Sequence, residues 1–154
     1  AGASDAHITI TGNLFILLRN HLREKGCRVY IADMKARIET RNIFYYPDIL
    51  VTCDARDREF NYFKKYPCVI IEVLSEGTEA FDRGDKFADY RELETLREYV
   101  LISQYRQRVD CFRCNESGQW VLFSYQETDE LELEAINFSC QVKALYEDVE
   151  FPNI

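Results

Sequence analysis

Three side chains point to chemistry by their type and their setting. Glu72 sits inside the apolar run Cys68-Val69-Ile70-Ile71-Glu72-Val73-Leu74, bounded by Pro67 on one side and by Ser75-Glu76-Gly77 on the other. A run of this kind reads as a strand buried on both faces. An unpartnered carboxylate taken out of water there costs on the order of several kcal/mol, so a metal ion, a cation or the mouth of a cleft has to compensate it. Asp48 opens an earlier apolar strand directly after Pro47, and Lys86 lies on the helical segment that follows Glu72. Asp82 stands one turn before Lys86 and Tyr90 one turn after it, so the three share a polar helical face. If Asp48 and Glu72 come from neighbouring strands and point the same way, they make a pair of hard oxygen ligands suited to Mg2+ or Mn2+. Such an ion lowers the pKa of its bound water and neutralises charge on a phosphoryl oxygen. A lysine beside it can orient that water or stabilise the extra negative charge of the transition state.

Plainer roles exist for each residue. Asp48 after a proline can be a turn or capping residue, Lys86 with Asp82 a surface ion pair, and Glu72 half of a buried salt bridge. His7, near the start of the first helix, reads as a capping or solvent-facing residue, and Phe44–Tyr46 as core and edge packing. Neither a glycine-rich phosphate loop nor a Ser-His-Asp arrangement stands out.

These residues need a scaffold, and the pattern supplies one. Ser4 or Asp5 can cap a helix that runs to about Lys25 and stops at Gly26, with Ile8, Phe15, Leu18 and Leu22 on one face and Ile10, Leu14 and Leu17 widening it. Cys27–Ile31 and Met34–Glu39 are strand-like, Thr40-Arg41-Asn42 marks a turn, Ile43–Tyr46 is β-prone, and Ile49-Leu50-Val51 is a further strand. Asp54–Lys65 is polar and reads as a loop. The spacing of Phe81, Ala88, Leu93 and Leu96 predicts one helix from Thr78 to about Arg97, with those residues on its buried face. Tyr99–Ser103 follows as a strand, then a hairpin of Arg108–Asn115 and Trp120–Gln126, a short edge strand at Leu131–Leu133, and a last helix capped by Ser139 that runs through Tyr146. The order predicts an α/β fold, a mixed central sheet flanked by helices in a single domain.

Composition narrows the class. The chain has 154 residues, 47% hydrophobic and 30% charged, as expected of a soluble globular protein of the cytosol. No apolar run is long enough to span a bilayer. Six cysteines at 27, 53, 68, 111, 114 and 140 read as small buried hydrophobes rather than bridges, and Cys111 and Cys114 point to opposite faces of one predicted strand. The net charge of −8, from 19 basic and 27 acidic residues, argues against a generic grip on nucleic-acid phosphates.

At these residues the sequence resembles the Uma-type restriction endonuclease family, within the PD-(D/E)XK nuclease superfamily. The resemblance is carried by AGASDAH, NLFILLRNHL, KARIE, YYPDILVTCD, PCVIIEVLSEGT, FDRGDKFADYREL, EYVLIS and the closing LYEDVEF, nearly the whole chain. It implies a restriction endonuclease-like sheet, with Asp48, Glu72 and the main-chain carbonyl of Val73 as ligands of Mg2+ or Mn2+. The superfamily's usual lysine position falls on Leu74, and in this branch the lysine has moved to the next helix, where Lys86 matches. Asp82 or Tyr90 would orient Lys86. The expected activity is hydrolysis of a phosphodiester of duplex DNA by metal-activated water, in the bacterial cytoplasm, with a homodimer as the possible cutting unit. The alternative is a nuclease-like module that binds nucleic acid or protein with little catalysis. The family also carries a further helix and a short acidic segment upstream of AGAS, so residues 1–154 are expected to form the nuclease-like domain without that segment.

Overall fold

The computed structural model describes residues 3–151. The chain opens with helix α1 (Asp5–Leu22), whose Ser4 cap accepts the His7 N–H at 3.1 Å. Strands β1 (Arg28–Ile31), β2 (Lys35–Ile38), β3 (Ile43–Tyr45), β4 (Ile49–Thr52), β5 (Phe63–Lys64) and β6 (Val69–Val73) follow. Then come helices α2 (Glu79–Arg83) and α3 (Asp85–Tyr90), and strands β7 (Glu98–Ile102), β8 (Arg108–Cys114), β9 (Trp120–Gln126), β10 (Glu130–Leu133) and β11 (Phe138–Gln141). Helix α4 (Val142–Leu145) is the last element.

The main sheet has the order β1-β4-β6-β7-β8-β9, with β6 and β7 parallel and every other neighbouring pair antiparallel. It is the mixed sheet the sequence order implies. A second sheet, β3-β2-β5, and a β10-β11 ribbon flank it. Strand period sorts the side chains into two cores. Val69, Ile71, Val73, Ile49 and Val51 face α1, α4 and the β10-β11 ribbon, whereas Ile70, Leu74, Leu50, Tyr99 and Leu101 face α3 and β2. The α3 side is held by stacked aromatics, including Phe87 on Tyr99 with ring centroids 4.8 Å apart. Such pairs add ~0.5–1.5 kcal/mol beyond the area they bury. Among the described residues no helix is long and apolar enough to cross a membrane.

Several local expectations need correction. Helix α1 stops at Leu22, and Ile8 is 61% exposed; the buried stripe is Ile10, Leu14, Leu18 and Leu22. The helix expected from Thr78 to Arg97 is two short ones broken at Gly84, whose φ/ψ of −104/−105 is not helical. A Cβ at Gly84 would stand 3.0 Å from the Ala80 carbonyl oxygen, so the break uses the absence of a side chain. Leu93 and Leu96 are buried as expected, but the face is turned within the two short helices. Phe81 is exposed, while Asp82, Phe87 and Tyr90 are buried. Ser139 lies in β11 rather than at a helix cap, and the Asp54–Lys65 stretch contains a 3-10 turn and β5. Cys27 and Cys53 form a disulfide, contrary to the reading of all six cysteines as unbridged. The β1–β4 register, which pairs Arg28 with Thr52, sets them opposite one another at the strand ends. Cys111 is buried and Cys114 half-buried, as opposite strand faces require.

Asp110 on β8 anchors α2 to the sheet. Its carboxylate accepts from Ser124 Oγ at 2.7 Å, Arg83 Nη2 at 2.9 Å and Arg108 Nε at 3.2 Å. Burial opposes its ionisation, but the hydrogen bonds of Ser124, Arg83 and Arg108 outweigh burial and hold it below the ordinary aspartate value of 3.8. A carboxyl depressed on folding stabilises the native state above its unfolded pKa and loses that contribution as pH falls through the folded one. Thermal denaturation followed from pH 6 to pH 2.5 (about that window) is therefore expected to show a loss of stability on acidification that Asp110→Asn flattens. An unchanged slope in the variant would remove Asp110 from the account.

Candidate active site

The candidate residues meet where the C-terminal end of β6 adjoins the N-terminal end of β4. The antiparallel register pairs Ile49 with Ile71 and Leu50 with Ile70, so one step further Asp48 stands across from Glu72. Both belong to the set that faces α3. The two residues interlock. The Asp48 N–H donates to Glu72 Oε1 at 3.2 Å, and the Val73 N–H donates to Asp48 Oδ2 at 2.7 Å. Lys86 comes down from α3 with Nζ 2.5 Å from Glu72 Oε2 and 3.5 Å from Asp82 Oδ1. The Tyr90 hydroxyl donates to Glu72 Oε2 at 3.5 Å, and Tyr99 OH donates to the Asp82 carbonyl at 2.8 Å. The break at Gly84 starts α3 afresh two residues before Lys86, which lets the lysine reach the strand end.

His7 is the residue that sequence reasoning passed over. Its Nε2 lies 3.2 Å from Asp48 Oδ1. It reaches the site from the first turn of α1, a helix packed on the opposite face of the sheet. That turn is pinned: Ser4 Oγ donates to Gln104 Oε1 at 2.7 Å, and Gln104 Nε2 donates to the Leu74 carbonyl at 2.7 Å. The one sequence signal for His7 is its place in AGASDAH, where the family resemblance begins. Position in a first turn by itself suggests capping.

These groups line an open cleft of about 490 Å³ with Ser75, Thr78, Tyr46 and Tyr105. Burial pushes the Glu72 carboxyl up to about 7; Lys86 opposes that rise and the Asp48 charge adds to it. Burial likewise raises Asp82. Burial disfavours a charged Lys86, yet the Glu72 and Asp82 carboxylates outweigh it and hold the ammonium above its ordinary value. The hydrogen bond to Asp48 raises His7 against the opposing effect of burial. With three carboxylates against one ammonium and one imidazole, the site carries an excess of acid.

The donor chemistry fits a hard cation. Leu74 N–H bonds to Ile102 of β7, so the main-chain groups of Val73 turn to the β4 side. There the β4–β6 pairing has ended at Ile49–Ile71, and the Val73 N–H goes to the Asp48 carboxylate. Val73 lines the cleft together with Asp48 and Glu72. Among the described residues no three His, Cys, Asp or Glu side chains form a metal cage by themselves. Two carboxylates and a carbonyl make a sparse set, the kind Mg2+ completes with its own waters.

Comparison with known proteins bears on this geometry. Residues 1–143 match the profile of the Uma2 family, described as "Putative restriction endonuclease". Among curated proteins the chain is 39% identical over 150 residues to "Uncharacterized protein slr1290" of Synechocystis sp., covering 97% of this chain and 79% of that one. It is 33% identical over 126 residues to "Uncharacterized protein sll1609" of the same organism, covering 79% and 70%. In fold it is similar to a crystal structure of "a putative nuclease belonging to DUF820" from Anabaena variabilis. The TM-score is 0.79 at 14% identity, over 96% of this chain and 83% of that one.

The buried Glu72–Lys86 pair yields a stability test. Removing one partner of such a pair leaves the other charge uncompensated, a loss of about 3–5 kcal/mol. Asp82 still holds Lys86 after Glu72→Ala, so urea unfolding in a chelator is expected to show a loss near the low end of that range. The double variant Glu72→Leu with Lys86→Met removes both charges of the pair but leaves the buried Asp82 without its lysine, so it should recover only part of the loss. A double variant no more stable than Glu72→Ala would show that the pair is not what costs stability.

Proposed function

Because this chain belongs to the Uma2 family, we propose that it is an endonuclease that hydrolyses DNA phosphodiester bonds with Mg2+ or Mn2+. The observation that carries the reading is the cross-strand placement of Asp48 and Glu72 on one sheet face, with Lys86 held between Glu72 and Asp82. Asp48, Glu72 and the Val73 carbonyl would hold the cation. Bound there, it would supply a water of lowered pKa and neutralise charge on a phosphoryl oxygen. Lys86 Nζ, fixed by two carboxylates, donates to the attacking water or to a non-bridging oxygen and stabilises the negative transition state. Asp82 and Tyr90 orient Lys86 and Glu72 and touch no substrate. His7 fixes the Asp48 carboxylate. One such site cuts one strand, so a double-strand break takes a homodimer or two successive nicks. The bacterial cytoplasm is where such an activity meets DNA.

Plasmid nicking is the direct test. Wild type with Mg2+ or Mn2+ is expected to nick supercoiled plasmid and to stop in EDTA. Asp48→Ala, Glu72→Ala and Lys86→Ala are each expected to fall about 100- to 1,000-fold, the usual loss for one transition-state contact. Equal nicking by all four proteins would reject the reading.

The net charge of −8 favours a second reading, a nuclease-like module that engages nucleic acid or protein without cutting. Calorimetric titration with Mn2+ separates the two. The nuclease reading expects Glu72→Gln to weaken binding at least about tenfold (1.4 kcal/mol per tenfold), whereas a pure binding module has no Mn2+ affinity for that substitution to change.

A further inference from the structure

Tyr46 borders two cavities. On one side is the cleft of Asp48, Glu72 and Lys86; on the other is a groove of about 650 Å³ between β1, β2 and the loop before β5. Phe15, Tyr30 and Met34 contribute half-buried walls to this groove, and Tyr62 and Asn61 stand at its outer side. Its volume is in the ~300–1,000 Å³ range of small-ligand sites.

Two tyrosines here are unspent. Tyr46 is 58% exposed and Tyr62 78% exposed. The neighbouring rings are engaged: Phe44 meets Phe63 and lies under Lys35 and Arg37, Tyr45 packs on Tyr90 and Phe81, and Phe60 stacks on Phe63. Among the described residues neither Tyr46 nor Tyr62 pairs with another ring in this way, so the expectation that the Phe44–Tyr46 segment serves packing fails at Tyr46. The charged residues of the groove, Asp33 and Lys35, have opposite sign. A nearly neutral, aromatic groove does not select a phosphate; it suits a flat, uncharged π face with polar edges, and the Asn61 amide can both donate and accept at such an edge.

We propose that this groove takes an unpaired nucleobase of the strand being cut, so that the substrate is DNA with single-stranded character next to the scissile phosphate, as in a fork, a flap or an open strand. The inference rests on the nuclease reading and narrows its substrate. A base inside a duplex has both faces covered by its neighbours and cannot stack on a side chain until it is extruded. The continuity of groove and cleft across Tyr46 places the phosphate of such a strand over the carboxylates while its base lies against tyrosine.

The test uses the full chain, with Ca2+ replacing Mg2+ for binding and Mn2+ supplied for cleavage. The probes are single strands, forks and blunt duplexes carrying 2-aminopurine, whose fluorescence falls when it stacks on an aromatic ring. Wild type is expected to quench the probe in single strands and forks, and to cut both more efficiently than the duplex. Tyr62→Ala is expected to bind the open strand about 5- to 150-fold more weakly, the range for losing one base–aromatic stack. Tyr62→Phe should keep the binding, and Mn2+ affinity should be the same in all three proteins. If Tyr62→Ala binds the open strand like wild type, or wild type prefers the duplex, the groove assignment is overturned while the nuclease reading stands. If no nucleic acid is cut but quenching still depends on Tyr62, the groove assignment stands and the nuclease reading falls.

Discussion

The structure depends on a carboxylate that has been taken out of water. Glu72 is 3% exposed and sits at the end of a strand whose other residues are apolar. Its attraction to Lys86, 2.5 Å away, repays only part of its desolvation, and burial still lifts the carboxyl. Asp48 and Asp82 then crowd the same few ångströms with further acid. One lysine cannot neutralise three carboxylates, and the Asp48 charge adds to the rise of Glu72 to about 7 that burial causes. A fold that needed only stability would fill this position with another valine. That surplus of acid is the observation on which the proposed cation site rests, and it falls on the residue whose burial costs most.

The rest of the architecture holds that cluster in place. The β4–β6 register sets the two carboxylates side by side, and the Asp48 and Val73 N–H groups lock them to one another. The parallel β6–β7 pair leaves the strand ends free at one edge, where α2 and α3 return over one face. Helix α1 lies on the other face, yet its first turn comes round the sheet end, held by the Ser4–Gln104–Leu74 chain of hydrogen bonds. His7 and Lys86 thus approach from opposite layers. The sheet end is the one place where both layers can contribute.

How much of this was legible in the sequence follows from the range of the interactions involved. An acid after proline and an acid within VIIEV are local facts, and strand period allowed both to face one way; the register that made them do so is long-range but agreed with it. Lys86, with Asp82 and Tyr90 a turn away on either side, was legible for the same reason. The sense of the helix was not. The pattern puts Phe81 on the buried face and the residues at 82 and 86 on a polar one, whereas here Asp82 and Lys86 turn inward to meet Glu72 and Phe81 is exposed. The break at Gly84 was hidden because one glycine within a helical period is usually tolerated at a modest cost. The Cys27–Cys53 bridge and the contact of His7 with Asp48 come entirely from tertiary register, to which a cysteine count or a capping rule is blind.

The acidic balance of the chain remains to be reconciled with a polyanionic substrate. Proteins that hold DNA through many lysines and arginines gain affinity by releasing counterions, and that gain falls steeply with salt. A chain of net charge −8 has little of that term to draw on. In the reading developed above, its grip comes from two local contacts instead: a cation between carboxylates and phosphate, and an aromatic face against a base. Neither needs a positive surface. The cation turns the acidic cluster into an attractive site for one phosphate, and stacking is indifferent to net charge. On that reading the net charge of −8 would disfavour a long duplex laid across the protein more than a strand held by one phosphate and one base.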